Sequence, residues 1–138
     1  MRILCLDVGT RRVGIAISDP LMITAQPLCT VDLKSEDLYS ALDKLFEKYQ
    51  IAKIVVGYPL SKFHPDEKTE NLKKIDGICN ELEKRYKVEV IKWDERFSTK
   101  AVERVLAEEN RSWKKKKNVI DKLSAVYILQ GYLDFMNS

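Results

Sequence analysis

The sequence predicts an α/β fold, a mixed β-sheet with helices on its faces. Two observations carry that expectation. Three strand-like segments crowd into the first 31 residues, RILCLD (2–7), VGIAIS (13–18) and PLCTV (27–31). The connections between them are too short for the crossovers that parallel neighbours require. Beyond them the apolar period changes, and helical and strand patterns alternate to the C-terminus, the order that lays helices on a sheet.

RILCLD is apolar on both faces, as a central strand is. DVGTRR bends at Gly9, and VGIAIS follows closely enough to pair with RILCLD as a hairpin. Asp19 and Pro20 end it. SEDLYSALDKLFEKYQ (35–50) then places Leu38, Leu42, Leu45 and Phe46 at helical spacing, with Ser35 the expected cap and acidic residues in the first turn. KIVVGYP (53–59) reads as a short buried strand. A polar helix is predicted over about 66–86, with Leu72, Ile75, Ile78, Cys79 and Leu82 as its inner stripe. VEVIKW (88–93) alternates as a fifth strand, and DERFST (94–99) is a loop. TKAVERVLAEE (99–109) is a helix capped by Ser98 or Thr99. NRSWKKKKN (110–118) breaks the pattern as a loop, and VIDKLSAVYILQGYLDFM (119–136) closes the order as a helix. No boundary, repeat or low-complexity tract divides residues 1–138, so one domain is expected.

Composition narrows the function classes. Apolar and charged fractions of 45% and 33% exclude disordered and fibrous chains. A net charge of +3, from 24 basic and 21 acidic residues, permits an anionic partner without requiring one. The three cysteines, Cys5, Cys29 and Cys79, have no zinc or redox spacing. Cys5 and Cys29 lie in apolar runs and read as small core residues, which fits a reducing, cytoplasmic compartment. Arg2 and Asp7 interrupt the only apolar run near the start, which argues against a signal peptide. No stretch approaches the length of a membrane span, so no membrane partner is expected. His64 is the only histidine. It gives little support to a Ser-His-Asp or Cys-His site and reads as an exposed loop residue or a substrate contact.

The acidic residues raise a sharper question. Asp7 ends a strand that should be buried, where a charge is costly unless it is paired or bound to a cation. Asp94 and Glu95 follow the fifth strand, and Asp121 lies in the first turn or two of the last helix. Functional groups in open α/β sheets gather at the carboxyl ends of parallel strands. If the first and fifth strands run parallel, Asp7 and Glu95 share one end, and a helix packed across it delivers Asp121. Converging carboxylates suit Mg²⁺ or Mn²⁺, hard cations that take oxygen ligands. Two such ions about 4 Å apart activate a water and stabilise the leaving oxygen of a phosphodiester. Each position also has a structural reading: Asp7 as a turn former, Asp94 and Glu95 as helix caps, Asp121 as a partner of the helix macrodipole.

Several basic and hydroxyl groups are candidates for phosphate. Thr10, Arg11 and Arg12 follow the Gly9 bend, where exposed backbone N–H groups and arginine forks match phosphate oxygens. Arg96 adjoins Glu95, and Ser98 opens a helix whose N-terminus favours anions. WKKKKN (113–118) sets Trp113 beside Lys114, Lys115, Lys116 and Lys117, a pattern suited to a nucleic-acid backbone with a ring available for stacking. A solvated turn, a surface salt bridge and a solvated linker are the corresponding structural readings.

LDVGTRRVGIAISDP (6–20), TAQPL (24–28), IVVGYPL (54–60), WDERFST (93–99) and IDKLSAVYILQGYLD (120–134) resemble, in order, the motifs of the YqgF family. These are small bacterial proteins of the ribonuclease H-like fold, related to Holliday-junction resolvases. The resemblance implies a five-stranded mixed sheet with its second strand antiparallel, flanked by helices. It implies a metal-dependent nuclease whose Asp, Glu and Asp match Asp7, Glu95 and Asp121. The activity attributed to the family is chiefly trimming of the 5′ end of the 16S rRNA precursor, and resolvase action was first inferred from fold analogy. The loop SKFHPDEKTE (61–70) departs from the family in having no glycine and in carrying Phe63, His64 and Pro65. Precursor rRNA is thus the expected partner and branched DNA the alternative. Monomer and homodimer both stay open. A non-catalytic RNA-binding maturation factor would keep the basic run without metal. An ATP-binding module is suggested by LDVGT, but the second lobe and second glycine-rich turn of such proteins have no counterpart in this sequence.

Overall fold

A computed structural model of the chain describes residues 1–58, 70–94 and 113–138, over 113–122 as backbone alone. The elements are β1 (Arg2–Val8), β2 (Arg12–Ser18), β3 (Ala25–Asp32), α1 (Leu38–Lys48), β4 (Ile51–Tyr58), α2 (Glu70–Tyr86), β5 (Glu89–Asp94) and α3 (Trp113–Asn137). The five strands form one sheet in the order β3-β2-β1-β4-β5. β2 runs antiparallel to β1 and β3, whereas β4 and β5 run parallel to β1. The mixed sheet with an antiparallel second strand is the one expected from the short early connections. The helix read over 99–109 lies outside the described residues, as do the loop 61–69 and His64.

β1 is central, and its residues Ile3 to Leu6 are fully buried. Alternation along the strand sends them to two cores. Leu4, Leu6 and Val8 meet Leu38 and Leu42 of α1 and Ile75, Ile78, Cys79 and Leu82 of α2. Ile3 and Cys5 lie on the opposite face with Ala16 and Val55, under Ala125, Ile128, Leu129, Tyr132 and Leu133 of α3. The inner stripe read for α2 is the buried one. Cys5 and Cys79 are buried free thiols, and Cys29 is half-buried against the α1/α2 core. No helix of the described residues is long and apolar enough to cross a membrane. Leu129 has no exposed surface. Leu129→Ala leaves a cavity between α3 and the sheet and is expected to cost about 3 kcal/mol, measured by urea unfolding.

α1 starts later than its pattern suggests. The Ser35 N–H donates to the Asp32 carbonyl at 3.1 Å, which commits Ser35 to the turn after β3. Asp37 is the cap instead: its carboxylate accepts the Ser40 N–H at 3.0 Å. The acidic residues expected in the first turn therefore precede the helix. α1 and α2 are joined by Asp43, which accepts two hydrogen bonds from the Arg85 guanidinium, at 3.0 and 2.6 Å, and one from the Tyr86 hydroxyl at 2.6 Å. Arg85, and then Tyr86, hold the Asp43 carboxyl down at about 2. An unfolded aspartate titrates near about 3.9. A depressed folded value means stability that is present above about pH 4 and lost as the pH falls through about 2. The advantage of wild type over Asp43→Asn is expected to shrink across that window, as read from urea midpoints at each pH.

α3 starts earlier than its pattern suggests. The structure places Trp113 to Asn118 within the helix, so the basic run is not a loop. Lysine is a good helix former, and nothing in WKKKKN breaks a helix. The other end of α3 is tied to the β2–β3 connection. Gln130 Nε2 donates to the Ile23 carbonyl at 2.9 Å, Gln130 Oε1 accepts the Ala25 N–H at 2.9 Å, and Asn137 Nδ2 donates to the Met22 carbonyl at 2.8 Å. That connection lies at the amino end of β1, because Leu4 pairs with Ile17 and Ser18 with Ala25. The N-terminal half of α3 thus runs towards the carboxyl end of β1.

Candidate metal and nucleic-acid site

Asp7 is the last residue but one of β1 and pairs with Gly14 of β2. It alternates with Leu6 and Val8, so it belongs to the Ile3/Cys5 face, the one that α3 covers. Burial pushes the Cys5 thiol well up, and the Asp7 carboxylate two residues along adds to that shift. Asp7 itself is half-buried, a charge held at the rim of the core.

The parallel strands bring a second carboxyl end alongside. Leu6 is level with Val56, and Val56 with Lys92. The end of β5 at Asp94, paired with Tyr58, therefore lies at the same edge of the sheet as Asp7. Glu95 is the next residue in the chain, and it lies outside the described residues with Arg96 and Ser98. Asp121 occupies a backbone position in the third turn of α3, not the first or second. Macrodipole stabilisation fades within the first turn, so that reading of Asp121 no longer applies. Its backbone position is four residues, about one turn, before the buried Ala125. Among the described residues no group of three or more His, Cys, Asp or Glu is clustered as a metal site. Glu95 and the side chain of Asp121 fall outside that description.

The β1–β2 turn is tight. The Gly9 N–H donates to the Arg12 carbonyl at 2.8 Å, and a Cβ on Gly9 would meet that same oxygen at 2.8 Å, so only glycine fits. Arg12 opens β2 opposite Asp32. Arg11 is more than half exposed, with Nε 3.6 Å from the Asp32 carboxylate. The Lys34 N–H and then Arg11 hold the Asp32 carboxyl below its usual value. Such an exposed pair contributes little, so Arg11 can exchange Asp32 for phosphate at small cost. Trp113 and Lys114 to Lys117 occupy the first two turns of α3. Four consecutive helical positions span about one full turn, at a helix end that is already positive.

Two lysines were not singled out by the sequence. Lys74 of α2 donates to the carbonyls of Gly9 at 3.1 Å and Thr10 at 3.3 Å. Lys92 of β5 donates to Asp76 Oδ1 at 2.7 Å, beside Tyr58. No local pattern announces either contact, since the partners are 65 and 16 residues apart in the chain.

Comparison with known proteins identifies the family. A family model described as "RuvX: Holliday junction resolvase" matches residues 1–135. The chain belongs to the RuvX family. The resemblance carried by its motifs is borne out, and RuvX is a family of nucleases whose partner class is nucleic acid. A Caldicellulosiruptor saccharolyticus protein named "Putative pre-16S rRNA nuclease" is 73% identical over 138 residues, covering 100% of both chains. A Caldicellulosiruptor bescii protein of the same name is 66% identical over 137 residues, covering 99% of each. Thermus thermophilus RuvC, solved in complex with a Holliday junction substrate, superposes with a TM-score of 0.56 at 12% identity, covering 99% of this chain and 96% of that one. At that identity the likeness shows the ribonuclease H-like fold, the one expected from the motifs.

Proposed function

We propose that this RuvX chain is a metal-dependent nuclease that trims the 5′ end of the 16S rRNA precursor in the cytoplasm, working as a single domain over residues 1–138. One observation carries the reading. β1 and β5 are parallel with only β4 between them, so the carboxyl end of β1 at Asp7, on the strand face that α3 covers, and the carboxyl end of β5 at Asp94 lie at the same end of the sheet. The substrate is the one in the names of the two Caldicellulosiruptor relatives.

The donor chemistry fits a hard divalent cation. Asp7, Glu95 and Asp121 supply only carboxylate oxygens, and the charge of Asp7 is held at the end of a buried strand, where it acts on the Cys5 thiol. These three residues would hold Mg²⁺ or Mn²⁺. When bound, such an ion lowers the pKa of a water and offsets charge on the leaving oxygen. The chain's other groups bind and orient the strand: the turn at Thr10, Arg11 and Arg12, with Arg96 and Ser98 beyond β5, meets phosphates near Asp7, while Trp113 and Lys114 to Lys117 hold the strand further along.

The family description favours four-way DNA as a second reading. A cleavage assay on precursor 16S rRNA and on a four-way DNA junction, each with Mg²⁺, Mn²⁺ or chelator, separates the two. Shortening of the RNA at its 5′ end with either metal, abolished by chelator, with the junction intact, is the expected result. Paired incisions in the junction with intact RNA would make the chain a resolvase. Binding without cleavage in any metal would make it a non-catalytic maturation factor.

A further inference from the structure

The Lys74 contact sets the polarity of the β1–β2 turn. α2 covers the sheet face that holds Leu4, Leu6 and Val8. Asp7 belongs to the other face. Lys74 draws the Gly9 and Thr10 carbonyls to the α2 side, at 3.1 and 3.3 Å. In a trans peptide the C=O and N–H point in opposite directions. The N–H groups of the same two peptides, those of Thr10 and Arg11, therefore point away from α2, towards the Asp7 side. Successive N–H groups aimed one way make a concavity for an anion. The Gly9 N–H is not part of it, because it closes the turn on Arg12.

We propose that Lys74 is a positioning residue that presents the N–H groups of Thr10 and Arg11 to a backbone phosphate of the nucleic acid beside Asp7. This rests on the nucleic-acid reading above and adds a binding group and its support. The ammonium is engaged with two carbonyls, so Lys74 acts through the turn and its charge does not meet the phosphate. Loss of Lys74 lets the two peptides rotate and misdirects both donors while Arg11 and Arg12 keep their charges. Affinity falls, but the number of phosphate charges neutralised does not.

The test uses the full ¹⁵N-labelled chain in chelator, titrated with a single-stranded RNA oligonucleotide and separately with inorganic phosphate, following the Thr10 and Arg11 amides. Both amides are expected to shift as RNA binds. Lys74→Met should weaken binding about tenfold and Lys74→Arg should restore most of it, as for a lost charge-assisted contact. The salt dependence of RNA affinity should keep its slope in Lys74→Met, whereas a lysine that touches phosphate takes about 0.7 of slope with it. A loss of that size would mean that Lys74 meets phosphate directly, and it would overturn the positioning role. Silent Thr10 and Arg11 amides while others respond, or wild-type affinity in Lys74→Met, would overturn the proposal outright. A response to inorganic phosphate but not to RNA would make the turn a free-phosphate site and also overturn it. Chelator removes cleavage from every arm. Absence of cleavage in all metals with the amide response intact would thus sink the nuclease reading and leave this one in place.

Discussion

Asp7→Asn is expected to lower the rate of RNA cleavage about a thousandfold and to leave the fold intact. The amide has the shape of the carboxylate and lacks the charge that a divalent cation needs. A cation stabilises developing charge by several kcal/mol, and each 1.36 kcal/mol is a factor of ten in rate. The side chain lies at the rim of the α3 core, not inside it, so packing of Ile3, Cys5 and Leu129 is unaffected. Single-turnover cleavage in saturating Mg²⁺, with a thermal melt of the same sample, checks both halves. Equal rates in mutant and wild type would remove Asp7 from the catalytic set.

Replacing Lys114, Lys115, Lys116 and Lys117 together with alanine is expected to weaken RNA binding by about one to two powers of ten at about 0.1 M salt and to flatten its salt dependence. Each phosphate contact to a single strand contributes about 0.7 to the slope; four consecutive helical positions encircle the helix and only positions three apart share a face, so two contacts, about 1.4 of slope, are expected. Alanine keeps the helix that the structure shows over these residues, so the change isolates charge. The loss is the same for RNAs of different sequence, because phosphate contacts carry no sequence information. Cleavage at saturating RNA changes much less, since Asp7, Glu95 and Asp121 are untouched. Superimposable salt series for the two proteins would show that the lysines do not meet the nucleic acid.

The elements that were legible in the sequence are those whose signal is local. Leu72, Ile75, Ile78, Cys79 and Leu82 announce α2 by spacing alone, and RILCLD announces a central strand because both its faces are apolar. The boundaries were less legible. Ser35 and Asp37 are both good caps, and the choice fell to Asp37 because the turn after β3 already engages Ser35. WKKKKN has no apolar period, yet it is helical because lysine favours helix and the buried row from Ala125 onward anchors what precedes it.

The candidate site divides the same way. Asp7 was legible because a carboxylate inside an apolar strand contradicts its surroundings. Its shared end with β5 was legible only as a condition, that the first and fifth strands run parallel, and the pairing of β4 with β1 and of β5 with β4 meets that condition. Lys74 was not legible. It reads as one of many charges on a polar helix, and only the packing of α2 beneath the β1–β2 turn gives it two carbonyls to hold.

The convergence of Asp7, Glu95 and Asp121 on one cation is the central claim, and a crystal structure of the chain grown with Mn²⁺, with the ion located by its anomalous scattering, tests it most directly. The expected result is at least one Mn²⁺ bound by carboxylate oxygens of all three residues at roughly 2.2 Å, within the range of hard-cation bonds to oxygen. An ion held elsewhere, or an Asp121 carboxylate turned to the face of α3 opposite Asp7, would contradict it.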